Sequence, residues 1–163
     1  MQPQIVELVI FDFDGTLLRS PKPPGAPFTW WLHAYSLDDV KKGPGLDPRW
    51  VLPVVAAARH ASLRGGTATV LLTARPLHRG MRRAIRRVLK LTGIDFDVVQ
   101  LKPITVLRSD AHYKAAVVQA WLQKLPSVRS VTFHDDLQDN LDAVGAVVRA
   151  RGIAYRPVLG PGL

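Results

Sequence analysis

The stretch Phe11-Asp12-Phe13-Asp14-Gly15-Thr16-Leu17 decides how this chain is read, because of what precedes it. Ile5-Val6-Glu7-Leu8-Val9-Ile10 is a mostly apolar run of strand length, so two carboxylates stand where a buried strand ends and a glycine turn begins. In extended chain, residues i and i+2 point the same way, so Asp12 and Asp14 are expected on one side and Phe13 on the other. Like charges that close need a neutralising partner, or one acid must keep its proton. A Mg²⁺ ion suits such a pair, since it is held by one or two carboxylates and completed by substrate phosphate and water. The motif therefore points to phosphate chemistry.

The 163 residues fit one domain, spanning 1–163, with length enough for a sizeable core. Hydrophobic content of 47% and charged content of 21% are those of a globular protein rather than a disordered one. The absence of cysteine excludes disulfides, thiolate metal sites and a cysteine nucleophile. The N-terminus carries acidic Glu7 and the motif in place of a basic start and a cleavage site. Without an apolar run of about 20 residues, no membrane span is predicted, and a soluble cytoplasmic protein is expected.

Charge adds a second direction. Twenty-two Lys and Arg against thirteen Asp and Glu give +9, and several of those acids belong to the site just described. The remaining surface is more basic still, which favours polyanionic partners, nucleic acid above all.

Strands and helices alternate along the rest of the chain. Seven of the thirteen prolines fall between Pro21 and Pro53, so this segment is expected to be irregular, with a short helix around Phe28 to Tyr35. Asp47-Pro48 reads as a helix cap and first-turn proline, with helix from Val51 to Leu63 and Pro53 delaying or bending its start. Thr67 to Leu72 is a β-branched apolar strand, and Pro76 is expected to open a helix lasting to Gly93. Strand Phe96–Leu101 precedes a helix from Ala111 to Lys124, capped by Ser109 or Asp110. Strand Val128–Phe133, helix Leu137–Val148 and a short strand Ile153–Tyr155 complete the order. The predicted class is α/β, a Rossmann-like parallel sheet of about five strands with helices on both faces. Active sites in such sheets lie at the carboxyl ends of the strands.

Three more elements fall at such ends. Leu71-Leu72-Thr73-Ala74-Arg75 sets a hydroxyl after the second strand, Lys114 lies in the first turn of the following capped helix, and Phe133-His134-Asp135-Asp136 ends the fourth strand. The order Asp-x-Asp-Gly-Thr, apolar-apolar-Thr, Lys, Asp-Asp resembles the haloacid dehalogenase (HAD) superfamily of phosphohydrolases, over residues 5 to about 150. The resemblance implies that Asp12 is the nucleophile forming an aspartyl-phosphate, and that Asp14 protonates the leaving oxygen and then activates water. It implies Mg²⁺ held by Asp12, the Asp14 main-chain carbonyl, Asp135 and Asp136. Phosphoryl oxygens would be bound by Thr73, Ala74 and the Gly15-Thr16 amides, and Lys114 would offset charge on nucleophile and phosphate. Lys102, in Leu101-Lys102-Pro103, competes for the last role. Plainer readings are that Asp135-Asp136 caps the last helix, that His134 only packs, and that Asp95 and Asp97 cap a turn.

Caps in this superfamily are inserted after the first motif or around the third strand. Here residues 18–50 form a Pro-rich loop or minimal cap, leaving the nucleophile open to a macromolecular phosphate. Trp30 and Trp31 lie in it and are candidates to stack a nucleobase or, alternatively, to close the segment over the core. Arg75, Arg79, Arg82, Arg83, Arg86, Arg87 and Lys90 follow Thr73 with no acid among them, while Leu77, Met81, Ile85, Val88 and Leu89 form an apolar stripe. A phosphate-backbone contact through Arg75 and Arg79 is the functional reading, a solvated helix face the ordinary one. Trp30-Trp31, Leu72-Thr73-Ala74-Arg75, Leu101-Lys102-Pro103 and Tyr113-Lys114 resemble the Swiss Army Knife RNA repair-like group, and the Thr-Ala-Arg and Asp-Asp elements are similar to the phosphatase part of polynucleotide kinase-phosphatases. That group often carries Gly before the Arg, and an acidic residue where this chain has His134. The expected activity is Mg²⁺-dependent phosphomonoester hydrolysis at an RNA or DNA end. The alternatives are a nucleotidase or sugar-phosphate phosphatase, and a non-catalytic basic adaptor for RNA or protein.

Overall fold

The computed structural model describes residues 4–163. Five parallel strands form one sheet in the order β3-β2-β1-β4-β5. They are β1 (Glu7–Phe11), β2 (Thr67–Leu77), β3 (Val98–Pro103), β4 (Ser130–Asp135) and β5 (Ala154–Leu159). Four helices connect them: α1 (Leu52–Ser62), α2 (Arg79–Lys90), α3 (Asp110–Lys124) and α4 (Gln138–Ala150). Among the described residues no helix is long and apolar enough to cross a membrane.

The apolar character of β1 follows from its central place. Val9 and Phe11 pack with Val55 and Ala58 of α1 and Ile85 and Val88 of α2, while Leu8 and Ile10 pack on the other face with Val118 of α3 and Val144 of α4. A strand covered on both faces cannot alternate apolar with polar residues. The chain winds from β1 outward to β2 and β3, then returns to β4 on the other side of β1. The carboxyl ends of β2, β1 and β4 therefore flank the crevice where the winding reverses.

Several boundaries differ from those expected. Pro76 does not open α2: it lies in β2, opposite Lys102, after a register break between Thr73 and Pro76. β1 pairs with β2 only as far as Leu71, so Pro76 faces no β1 acceptor and its missing N–H costs that edge nothing. The cap of α2 is instead His78, whose Nδ1 accepts from the Met81 N–H at 3.2 Å. Asp47 does not cap α1 either; its carboxylate holds the Arg49 guanidinium and main-chain N–H, and Pro53 supplies the first-turn proline. Between Phe28 and Tyr35 there is no single helix, but two 3₁₀ turns, Trp30–Leu32 and Ala34–Leu37. β5 runs beyond Tyr155 to Leu159, through Pro157, which an edge strand tolerates. Asp97 caps no turn of its own; its carboxylate accepts from the Thr69 N–H, tying β3's start to β2.

Candidate active site

Each acid of the first motif has its own cation. Asp12, one residue past β1, accepts from Lys114 Nζ at 2.7 Å, and the same ammonium reaches Asp135 Oδ2 at 2.6 Å. Asp14 is instead gripped through both oxygens by Arg75, at 2.8 and 2.7 Å, and accepts from the Ser20 hydroxyl. Phe13, between them, is fully buried in the core beneath α1 and α2, with the Arg75 guanidinium 5.7 Å above its ring.

Lys114 reaches the two acids because the Ser109 hydroxyl caps α3, accepting from the His112 N–H, and so fixes the first turn beneath the strand ends. Lys102 lies apart, paired with Asp110 at 2.9 Å and with the Arg108 carbonyl. Asp135 is fully buried, and its oxygens also accept from the Asn140 amide and the Leu137 N–H. Its bond to the Leu137 N–H shapes the turn that enters α4, but no side chain caps that helix, and Asp135 faces Lys114. Asn140 escaped notice in the sequence, where nothing marks an asparagine on a helix as a carboxylate's partner.

Carboxylate oxygens of Asp12, Asp135 and Asp136 lie within 4.8 Å of one another. Lys114 pairs with Asp12 and Asp135, and half-buried Asp136 stands beside them, so the acids outnumber the ammonium. Burial raises the Asp12 carboxyl from 3.8 to about 8, Asp135 adding to the rise and Lys114 opposing it. Asp136 is raised as well, by burial and then by Asp135. Burial works against the Lys114 ammonium, but Asp12 and Asp135 outweigh it and hold its proton more firmly than usual. An oxygen set lacking one further positive charge fits a hard divalent cation such as Mg²⁺. The Asp14 carboxylate is outside this group.

Gly15 has φ +73°, and a Cβ there would collide with the Asp136 carboxylate. The turn closes when the Gly15 N–H donates to the Leu18 carbonyl at 2.8 Å, and the Thr16 N–H points to the Phe13 carbonyl at 3.4 Å. Neither amide is left free, contrary to the expectation that they cradle phosphate. The N–H groups of Phe13 and Asp14 meet no acceptor among the described residues. The Thr16 hydroxyl donates to Asp12 at 3.4 Å. Thr73 is buried at the cavity wall, its hydroxyl accepting from the Arg75 N–H. His134 packs flat on Phe11, 4.5 Å between centroids, and burial pushes it down to about 4, so it is neutral.

A cavity of about 760 Å³ opens over these groups, lined by Asp12, Asp14, Thr73, Ala74, Lys114 and Asp136, with Trp31 at its edge. Trp30 and Arg79 do not line it: Trp30 sits edge-on to Tyr35, and Arg79 is exposed on α2. Arg75 lines it but is buried and tied to Asp14, the Ser36 hydroxyl and Met81. Arg87 is also occupied, holding the Leu37 and Val40 carbonyls. Arg79, Arg82, Arg83, Arg86 and Lys90 are exposed and form no ion pair among the described residues.

Comparison with known proteins agrees with this architecture. Fold similarity is seen to the structure of the Pnkp1/Rnl/Hen1 RNA repair complex, with TM-score 0.65 and 20% identity over 98% of this chain and 44% of the other. The HAD domain of effector protein Lem4 from Legionella pneumophila superposes with TM-score 0.62 and 16% identity, covering 98% of this chain and 88% of that one. An uncharacterised Saccharomyces cerevisiae protein, YMR265C, is 24% identical across 85% of this chain, which spans only 36% of the yeast sequence. Residues 16–151 match the family described as HAD domain family 1 in Swiss Army Knife RNA repair proteins, a match that begins just after Asp12 and Asp14. With five parallel strands, acids at the ends of β1 and β4, and that match over most of its length, the chain belongs to this HAD family.

Proposed function

We propose that this chain is a Mg²⁺-dependent phosphomonoesterase working through an aspartyl-phosphate on Asp12, with terminal phosphates of nucleic acid as its substrates. The observation that carries the reading is Lys114 bridging Asp12 and Asp135 beside Asp136 at the ends of adjacent strands. A structural salt bridge needs one acid for one lysine; three acids around one lysine are a charge arrangement waiting for a second cation. Mg²⁺ held by Asp12, Asp135, Asp136 and the Asp14 main-chain carbonyl would neutralise the phosphate and the nucleophile.

The residues divide the work as follows. An Asp12 oxygen attacks phosphorus and the ester bond to the leaving oxygen breaks. Asp14 gives that oxygen its proton, then takes one from the water that releases phosphate from Asp12. Lys114 and the Phe13 and Asp14 N–H groups would bind the charge that develops on the phosphoryl oxygens. Thr73, which also lines the cavity, would add a hydroxyl donor.

Nucleic acid is supported by two things. The family is that of RNA repair proteins, and the unpaired cations of α2 begin immediately after His78, which lines the cavity. The working arrangement in those larger relatives, and any partner this chain has, belong to the same proposal, since it spans under half of the Pnkp1 chain. A catalytically idle basic adaptor would not need Asp12, Lys114 and Asp135 joined as they are. Mg²⁺-dependent phosphate release should be measured on 3′- and 5′-phosphorylated oligonucleotides, mononucleotides and sugar phosphates. Oligonucleotide ends should be preferred, and their affinity should fall steeply with log salt, as contact with several phosphates requires. Equal use of sugar phosphates with no salt dependence would favour a small-molecule phosphatase.

A further inference from the structure

The cavity joins two kinds of chemistry. Besides the acids, Thr73 and Lys114, its lining includes the apolar side chains of Trp31, Leu32, Pro103, Ile104, Val106 and Leu137. Leu32, Ile104 and Leu137 are 49%, 69% and 52% exposed, so large apolar side chains that line the cavity stand open to solvent. An exposed leucine alone means little, but a group of them rimming a polar site is what a ligand's apolar part would cover.

The polar groups near that rim are already engaged. Lys102 is held by Asp110 and the Arg108 carbonyl, and His78 sits between the Leu32 carbonyl and the Met81 N–H. Arg75 is taken by Asp14 and Ser36. The single donor of Trp31, its indole N–H, is spent on the Ser20 carbonyl at 2.9 Å, so the ring surface is all it can offer. Apart from Lys114 at the acids, each cation lining the cavity is thus engaged within the fold, and none stands free to meet a second phosphate.

We propose that the alcohol carrying the scissile phosphate presents a flat, uncharged ring system, attached directly or through a sugar, that rests against Trp31, Ile104 and Leu137, and that the cavity holds one phosphate group. The inference rests on the phosphomonoesterase reading of the same site and names its substrate class. A nucleobase and an aryl group share this chemistry. Further phosphates of a strand would lie outside the cavity.

Binding tests the proposal without turnover. In Mg²⁺, benzylphosphonate should bind at least tenfold more tightly than methylphosphonate, and Ile104→Asp, at an exposed position, should narrow that ratio severalfold. Equal affinity of the two phosphonates, or an unchanged ratio in the variant, would overturn it. Turnover then separates the sources: KM for a nucleoside monophosphate and for an aryl phosphate should both lie at least tenfold below that for a hexose phosphate, the lower of the two naming the ring. A nucleoside 3′,5′-bisphosphate should bind no more tightly than the monophosphate; a tenfold gain from the second phosphate would contradict the single-phosphate cavity. Release of phosphate from every substrate alike would sink this inference and leave the phosphomonoesterase reading standing. Release from none, with benzylphosphonate still preferred, would sink that reading and leave the ring site.

Discussion

Arg75 holds Asp14 through both carboxylate oxygens, Nε to Oδ2 at 2.8 Å and Nη2 to Oδ1 at 2.7 Å, across 61 residues of sequence. The remaining nitrogen, Nη1, donates to the Ser36 hydroxyl at 2.6 Å, so one buried guanidinium joins the first motif, the end of β2 and the segment before α1. The acid proposed to pass the proton is therefore oriented by the residue that also anchors the loop over the cavity. A planar fork can do this and a point charge cannot.

Arg75→Lys should accordingly keep the charge and lose the geometry. Turnover should fall by about 10²-fold, at the low end of what acid–base catalysis contributes, and the pH–kcat profile should change shape. Arg75→Ala, which strands a partly buried carboxylate, should also cost about 3 kcal/mol in denaturant stability. An unaltered pH–kcat profile in the lysine variant would separate Arg75 from the proton transfer.

Gly15 combines a left-handed backbone with contact against Asp136. Gly15→Ala should lose about 1–2 kcal/mol from backbone strain alone and displace a proposed metal ligand as well. Denaturant midpoints and the Mg²⁺ concentration for half-maximal activity should both move. A variant with wild-type Mg²⁺ dependence would show that Asp136 does not serve the cation.

Asp12→Asn should abolish turnover while substrate binding is retained, because it removes the attacking oxygen's charge but keeps the side chain's shape. Single-turnover phosphate release and equilibrium binding on the same variant decide this. Hydrolysis at the wild-type rate would remove Asp12 from the chemistry.

Stability should depend on pH in a metal-sensitive way. Asp12 is raised from 3.8 to about 8, so between those values the folded state binds more protons than the unfolded chain, and stability falls as pH rises. His134, pushed down from 6.5 to about 4, acts oppositely, giving stability that is complete above 6.5 and lost toward pH 4. From pH 6.5 to 8 only the Asp12 effect of these two remains, at up to about 1.4 kcal/mol per pH unit, or roughly 2–4 °C in Tm for each kcal/mol. Mg²⁺ should remove this loss by replacing the proton, so its stabilising effect should be larger at pH 8 than at pH 6.5. Thermal melts with and without Mg²⁺ at the two pH values test it, and a metal-free Tm that rises across the window would contradict the assignment.

Much of this arrangement could be read from local pattern. Leu8, Ile10 and Val9, Phe11 fill opposite cores, which is why a mostly apolar run announced a buried strand and put Asp12 at its end. Asp135 and Lys114 were legible because strand ends and capped first turns are where such a sheet gathers its polar groups. The pairing of Asp14 with Arg75 was not, since it depends on how β2 continues past Thr73, and that depends on β1 having already ended. The same continuation misled the reading of Pro76, which is a helix opener only where no neighbouring strand accepts it. His78 as a cap and Asn140 as a support for Asp135 are contacts that residue type does not announce. Asp47 has the right residue type for a cap, yet Arg49, two residues on, takes its carboxylate.

The central claim is that Asp12 accepts a phosphoryl group beside a cation shared with Asp135 and Asp136. A crystal grown with Mg²⁺ and beryllium fluoride tests it most directly. A fluoroberyllate should be bonded to an Asp12 carboxylate oxygen, with one Mg²⁺ touching Asp135, Asp136 or both, and Lys114 still in contact with Asp12. An adduct on any other residue, or a bound Mg²⁺ that touches none of the three acids, would contradict it.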